Sequence, residues 1–175
     1  SLYKNGKIDE AIDAIKLLNE EYPNVPLLFN ILGACYKSLG QLEPASKMFE
    51  TAVTLNPNYA EAYFNLGVTL RELNQIDSAI LSYQKAINIQ PNYPDAYNNL
   101  GNSFDELGML NEAIESYDWA IAYKYDFFHA HNNLGIAQNK IGNPELAVKS
   151  YENAVKIEPD FLDSHFNLGI TLKEL

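Results

Sequence analysis

Cysteine occurs once in 175 residues, at Cys35, and this excludes an internal disulfide framework and the multi-cysteine zinc sites. Cys35 stands among apolar neighbours in a helical pattern, so it reads as a small core residue rather than a reactive thiol. Positive charge is also scarce: 12 Lys and Arg face 23 Asp and Glu, for a net charge of −11. A body this acidic repels phosphate backbones and anionic lipid surfaces, so neither nucleic acid nor membrane is expected as a partner. A neutral or basic partner is favoured instead. No apolar run approaches the roughly 18 residues of a membrane span, and no signal peptide opens the chain. A cytoplasmic setting is favoured, but the compartment stays open, because Ser1 falls inside a repeat and the chain reads as a piece of something longer. Histidine is limited to His129, His131 and His165. Two of these come from adjacent repeats, and they do not supply the three or four converging ligands that zinc needs. No Gly-rich phosphate loop, HExxH or GxSxG occurs, and the neighbouring acids Asp105 and Glu106 point apart on a helix. No catalytic residue, metal or cofactor is expected.

What the chain has is a period. Leu-Gly recurs at Leu32–Gly33, Leu66–Gly67, Leu100–Gly101, Leu134–Gly135 and Leu168–Gly169, 34 residues apart each time. Three further ladders keep the same register: Ala11, Ala45, Ala79, Ala113, Ala147; Ile15, Phe49, Tyr83, Tyr117, Tyr151; and Leu18, Ala52, Ala86, Ala120, Ala154. Prolines close the units at Pro23, Pro57, Pro91 and Pro159, with Tyr125 replacing the one expected between the last two. Within a unit the apolar spacing is three or four residues, as in Tyr63-Leu66-Gly67-Leu70 and Ala79-Ile80-Tyr83-Ala86-Ile87, so both stripes are helical.

Short turns separate the two stripes at Leu39-Gly40-Gln41, Leu73-Asn74-Gln75, Leu107-Gly108-Met109 and Ile141-Gly142-Asn143. Gly and Asn adopt left-handed backbone angles cheaply and so end the first helix. Acids or amides (Asp9, Glu43, Asp77, Asn111, Glu145) open the second, where the helix dipole favours them, and Pro44 and Pro144 sit where a missing N–H is harmless. A Gly inside a helix costs about 0.5–1 kcal/mol relative to Ala, so a close contact must offset it. The expectation is that Gly on one helix and Ala on the next let the two backbones approach, with the Tyr or Phe four residues beyond the Ala filling the flank. Each hairpin is too small to bury its own apolar face and needs its neighbours.

These ladders resemble the tetratricopeptide repeat (TPR) family over essentially the whole chain. The resemblance implies an all-α fold, a right-handed α-solenoid of antiparallel helix hairpins. It divides the single array into a partial unit at 1–25, full units at 26–59, 60–93, 94–127 and 128–161, and the first helix of a further unit at 162–175. Asn74 for the turn glycine, Tyr125 for the proline, and His131 and His165 where an aromatic is usual are mild departures.

In this family the first helix of each hairpin, helix A, lines a concave groove that takes extended peptides. Carried onto this chain, the groove set begins with Asn65, Asn99, Asn133 and Asn167, two residues before each ladder glycine; Ile31 breaks the series. Asn is a poor helix former, so four on one line need a reason. A carboxamide can pair with both the C=O and the N–H of an extended chain, and such a ladder is similar to that in the repeat arm of O-linked N-acetylglucosamine transferase. The alternative is that these amides glue helix to helix. Glu61, Asp95, His129 and Asp163 stand four residues earlier, either as an acidic rim that selects Lys or Arg or as residues satisfying the helix dipole. Asn102, Asp105, Arg71, Lys37, Asn139 and Lys173 lie further along the groove and either tune specificity or form a solvated face. Acids, Asn, Phe64 and Phe166 stand where the family's carboxylate clamp needs Lys and Arg, which argues against a chaperone-tail receptor.

The expected function is a non-catalytic protein–protein interaction scaffold that holds an extended peptide. Two alternatives stay open: an array that self-associates end to end through apolar surface such as Ile170 and Leu172, and the targeting arm of a larger glycosyltransferase or sulfotransferase.

Overall fold

The computed structural model describes the backbone of residues 2–175 and the side chains from residue 6 onward. Among the described residues there are ten α-helices and no strand. The chain divides into two compact units, residues 1–91 and 92–175. The first holds α1 (Leu2–Glu21), α2 (Pro26–Ser38), α3 (Leu42–Leu55), α4 (Ala60–Glu72) and α5 (Ile76–Ile89). The second holds α6 (Pro94–Glu106), α7 (Leu110–Tyr123), α8 (Phe128–Lys140), α9 (Pro144–Ile157) and α10 (Leu162–Glu174). In the first unit α2/α3 and α4/α5 are antiparallel hairpins, and α3 packs on α4. In the second, α6/α7 and α8/α9 are the hairpins, α7 packs on α8, and α9 packs on α10.

Each hairpin turn is built on one left-handed residue: Gly40 (φ 73°), Asn74 (61°), Gly108 (73°) and Gly142 (88°). The residue that follows donates its N–H five residues back, as in Gln41 to the Tyr36 carbonyl and Gln75 to that of Leu70, both at 2.9 Å. Orphan carbonyls at the helix end are satisfied this way. Asn74 fits because Asn, alongside Gly, tolerates this region of backbone space. Pro26, Pro94 and Pro144 take first-turn positions, where no N–H is required. Tyr125 in place of proline does not lengthen α7, which ends at Tyr123 in register with Leu55, Ile89 and Ile157.

The ladders form the core. Ala45, Ala52, Ala79, Ala86, Ala113, Ala120, Ala147 and Ala154 have no exposed area, and Phe49, Tyr83, Tyr117 and Tyr151 are buried with them. The glycines have a more specific reason than the approach of two backbones. A Cβ on Gly33 would lie 2.6 Å from the ring of Phe49, and the same holds for Gly67 with Tyr83 (2.7 Å), Gly101 with Tyr117 (2.6 Å) and Gly135 with Tyr151 (2.5 Å). The ring does not fill a flank; it lies on the glycine itself. Each ring thereby buries enough apolar surface for about 1.5–3 kcal/mol, which offsets the helix cost of its glycine.

Helix α1 departs from this pattern. Its ladder residues Ala11 and Ile15 are only half-buried and Leu18 is exposed, while Ile12 is its buried apolar side chain. Among the described elements α1 packs on α2 alone, so its apolar face is covered on one side only.

Candidate functional site

In residues 92–175 the ladder amides project from α6, α8 and α10, and most are tied to the neighbouring first helix. Asn133 donates from Nδ2 to the Oδ1 of Asn98 (3.2 Å) and of Asn102 (3.0 Å). Asn167 donates to Asn132 Oδ1 at 3.2 Å, which also accepts from Ser164 Oγ at 3.0 Å. Asn102 Oδ1 accepts a further bond from the Tyr117 hydroxyl at 2.9 Å, which joins the polar face to the ring-on-glycine core. Asn99 behaves differently: its amide turns back to the Asp95 carbonyl of its own helix at 2.8 Å. The partners Asn98 and Asn132 are buried, and the ladder residues are half-buried. Such pairing is what buried carboxamides require.

Residues 1–91 carry the same contact once. Asn65 donates to Asn30 Oδ1 at 3.1 Å, and Asn30 donates onward to the Tyr59 hydroxyl (3.2 Å) and the Glu61 carboxylate (3.4 Å). Burial pushes the Tyr59 hydroxyl above its ordinary pKa, the nearby Glu61 charge adds to this, and the Asn30 bond opposes it. Ile31 interrupts the ladder, but Asn30 beside it supplies the acceptor. Asn30, Asn98 and Asn132 also share one repeat position, interrupted by Phe64 and Phe166, but each contact runs 35 residues rather than 34, so comparing repeats in register does not pair them with the ladder. The doublets Asn98-Asn99 and Asn132-Asn133 were the available signal.

The acids and the positions beyond them divide. Glu61, Asp95 and Asp163 all lie in the first turn of their helices, where the dipole favours a carboxylate. Asp95 and Asp163 are exposed. His129 is exposed and lies against aromatic rings, with Phe128 at 4.0 Å and Phe161 at 5.2 Å between centroids. Asp105 forms an ion pair with Lys140 (2.6 Å), and Lys37 pairs with Glu72 (3.0 Å), both again 35 residues apart. Arg71 is half-buried at the end of α4, and Asn139 reaches Thr171 Oγ1 at 3.3 Å. His131 and His165 each bond the carbonyl six residues earlier, at Tyr125 (3.0 Å) and Pro159 (2.8 Å), and so lock the loop before their helix. Cys35 is half-buried, and burial raises its thiol pKa, which disfavours the reactive thiolate. Among the described residues no group of His, Cys, Asp and Glu could hold a metal, and no helix is long and apolar enough to cross a membrane.

Comparison with known proteins fits this geometry. Family profiles described as TPR repeat match residues 33–71 and 69–108, and profiles described as Tetratricopeptide repeat match residues 94–124 and 129–161. No curated protein matches the chain. Among solved structures, one of MamA is 32% identical, covers 90% of this chain and 92% of its own, and has a TM-score of 0.84. A MamA structure from Desulfovibrio magneticus RS-1 is 21% identical over 91% of this chain and 90% of its own, with a TM-score of 0.82. YrrB, described as a TPR protein with an unusual peptide-binding site, is 22% identical over 99% of this chain and 87% of its own, with a TM-score of 0.80. With the hairpins, the glycine–ring joints and these matches together, the chain belongs to the tetratricopeptide repeat family.

Proposed function

We propose that the protein is a non-catalytic scaffold that holds an extended peptide of neutral or basic character against the first-helix face of residues 92–175. One observation carries this reading. Asn99, Asn133 and Asn167 have Nδ2 anchored within the chain, while their Oδ1 atoms accept nothing among the described residues. An anchored carboxamide with a free oxygen is a pre-oriented acceptor, and one acceptor per repeat suits the N–H groups of an extended backbone. Exposed Asp95 and Asp163 on the same helices favour Lys or Arg in the ligand, and the acidic chain as a whole attracts it. Proteins with this fold serve as protein–protein interaction scaffolds, and YrrB, which shares the fold, is described as having an unusual peptide-binding site.

A peptide selected on the intact protein from a random display library tests the reading. Asn99→Ala together with Asn133→Ala should weaken its binding at least about tenfold, equivalent to about 1.4 kcal/mol, with helical content retained. N-methylation of the peptide backbone should weaken it comparably, because it removes the donors that Asn Oδ1 would accept. Unchanged affinity in both experiments defeats the reading.

A second reading, self-association, draws on α10, where Leu162, Phe166, Ile170 and Leu172 are exposed. Exposed apolar side chains on one helix invite a partner. Light scattering across a concentration series decides it: a monomer at high concentration removes this reading.

A further inference from the structure

The outer face of α7 differs from every counterpart in the chain. Glu112, Glu115, Trp119 and Tyr123 follow one another at intervals of three, four and four residues, so they share one stripe of the helix. The corresponding stripe holds Lys47 on α3, Lys85 on α5 and Lys149 on α9, yet α7 contains no basic residue at all. Trp119 is the chain's single tryptophan, and it stands where the other second helices have Thr51, Lys85 and Asn153.

Trp119 is 47% exposed and Tyr123 38% exposed. Neither ring is loose. Tyr97 from α6 stacks on both, with centroids 6.2 Å from Trp119 and 5.7 Å from Tyr123, and the two α7 rings lie 5.9 Å apart. All three planes lie within 24–27° of one another. The stack holds the rings in place while leaving a broad π surface open, so little side-chain freedom remains to be lost when something docks. Lys124, just beyond the helix, lies over the Phe127 ring 4.6 Å from its centroid, a contact that occupies a different ring.

We propose that the Tyr97–Trp119–Tyr123 stack, with Glu115 and Glu112 beside it, is a second docking surface for a Lys- or Arg-bearing segment of a partner protein. An aromatic face attracts a cation, most strongly when the face is Trp, and a carboxylate one helical turn away completes the recognition of an ammonium or guanidinium group. Trp and Tyr held in a fixed array are the residues that dominate binding energy at protein interfaces. The net charge of −11 favours the approach of a cationic segment, and α7 itself carries no cation that would oppose one. Four of its five residues lie on α7, the second helix of the hairpin, and Tyr97 of α6 is turned toward them rather than along the amide ladder, so the surface can be occupied independently of the first-helix amides.

Trp119 is also the reporter. The probe is a Gly/Ser peptide carrying several Arg residues, titrated into the full chain while Trp119 fluorescence is followed, with a matched peptide carrying Gln for Arg as reference. The Arg peptide should shift or quench the emission and the Gln peptide should not. Glu115→Gln and Tyr123→Ala should each weaken the Arg peptide at least about fivefold, whereas Glu50→Gln, an identical charge change on exposed α3, should alter it less than about twofold. Asn133→Ala should leave the titration unchanged, which separates this surface from the first-helix face. Silent Trp119 emission, equal response to the Gln peptide, or equal effects of Glu115→Gln and Glu50→Gln would overturn the proposal. So would concentration-dependent association of the chain that Trp119→Lys abolishes, because the stripe would then be serving a second copy.

Discussion

Hairpins α4/α5 and α6/α7 stand on one plan. Gly67 lies under Tyr83 as Gly101 lies under Tyr117, and Asn74 and Gly108 make the same left-handed turn. Thirty-four residues on, however, Lys85 has become Trp119 and Ile89 has become Tyr123. The first pair of facts is dictated by packing: a ring needs a glycine beneath it, and a turn needs a residue tolerant of positive φ. The glycine–ring joint does not dictate the second pair: Lys85, Trp119 and Tyr123 are exposed and Ile89 is half-buried. Positions that repeat therefore describe how the hairpin is built, and positions that vary on the same skeleton are those left free of that demand, among them the residues of the proposed α7 surface. The comparison can be broken at either end.

The largest effect is expected at the joint. Gly101→Val places a branched side chain where the Tyr117 ring, 2% exposed, has no room to retreat. Overpacking and cavity-scale rearrangement should destabilise the protein by about 3 kcal/mol or more, roughly 10 °C in Tm. Gly101→Ala should cost about 1–3 kcal/mol, since the added methyl meets the ring even though Ala is the better helix former. Gly169 provides the opposite sign. Nothing lies within 4 Å of its added Cβ, so Gly169→Ala should stabilise by up to about 1 kcal/mol through helix propensity alone. Equal effects at the two sites in thermal unfolding would show that the ring is not the reason for the glycine.

The ring position can also be probed with alkali. Burial raises the Tyr151 hydroxyl from 10.0 to about 12, although its bond with Thr171 pulls the other way. Below pH 10 the folded and unfolded chains both keep this proton. Between pH 10 and 12 the unfolded chain releases it first, so stability falls with rising pH by about 1.4 kcal/mol per unit, or about 2–3 kcal/mol by pH 12. Tyr151→Phe, which places at this position the residue found at Phe49, should remove that increment from the alkaline loss. Parallel pH profiles for the two proteins would contradict the assignment.

The first-helix face should respond less. Asn133→Ala removes two bonds to Asn98 and Asn102 and leaves buried Asn98 short of a donor, at a cost of about 1–2 kcal/mol. Asn99→Ala removes one exposed bond within its own helix and should cost no more than about 0.5 kcal/mol. Denaturant midpoints measured side by side would show whether the two amides differ as their partners do.

Legibility in the sequence follows the same division. Helices, turns and buried ladders were readable because each obeys a local rule that recurs every 34 residues: a stripe at three and four, a Gly or Asn at the turn, a small residue in the core. The repeat gives the positions of the glycines but not their full reason, because the ring that takes the missing Cβ's place comes from the other helix of the hairpin. The Asn pairs were half visible. Aligning the repeats brings Asn65, Asn99, Asn133 and Asn167 into one column, whereas their partners Asn30, Asn98 and Asn132 occupy the column before, because neighbouring first helices meet 35 residues apart. Lys37–Glu72 and Asp105–Lys140 are offset in the same way, so charges that looked like simple alternation are cross-repeat pairs. Trp119 belongs to no column, and a search for repetition passes over the residue that breaks it.

Only a small change in stability is expected where the two hairpins differ most. Trp119→Lys installs on α7 the residue that α5 carries at the same position. The loss of stacking with Tyr97 and Tyr123 removes about 0.5–1.5 kcal/mol of ring–ring attraction. Lys is the better helix former, and Glu115 gives it a favourable i, i+4 partner, which together return several tenths of a kcal/mol. Net destabilisation should stay below about 1 kcal/mol, within about 2–4 °C of Tm, while the α7 surface loses its aromatic platform and gains the sign of charge that repels a cationic segment. A loss of several kcal/mol would mean that Trp119 holds the hairpin together, and the distinction between a shared skeleton and a free surface would fail at the residue on which it is sharpest.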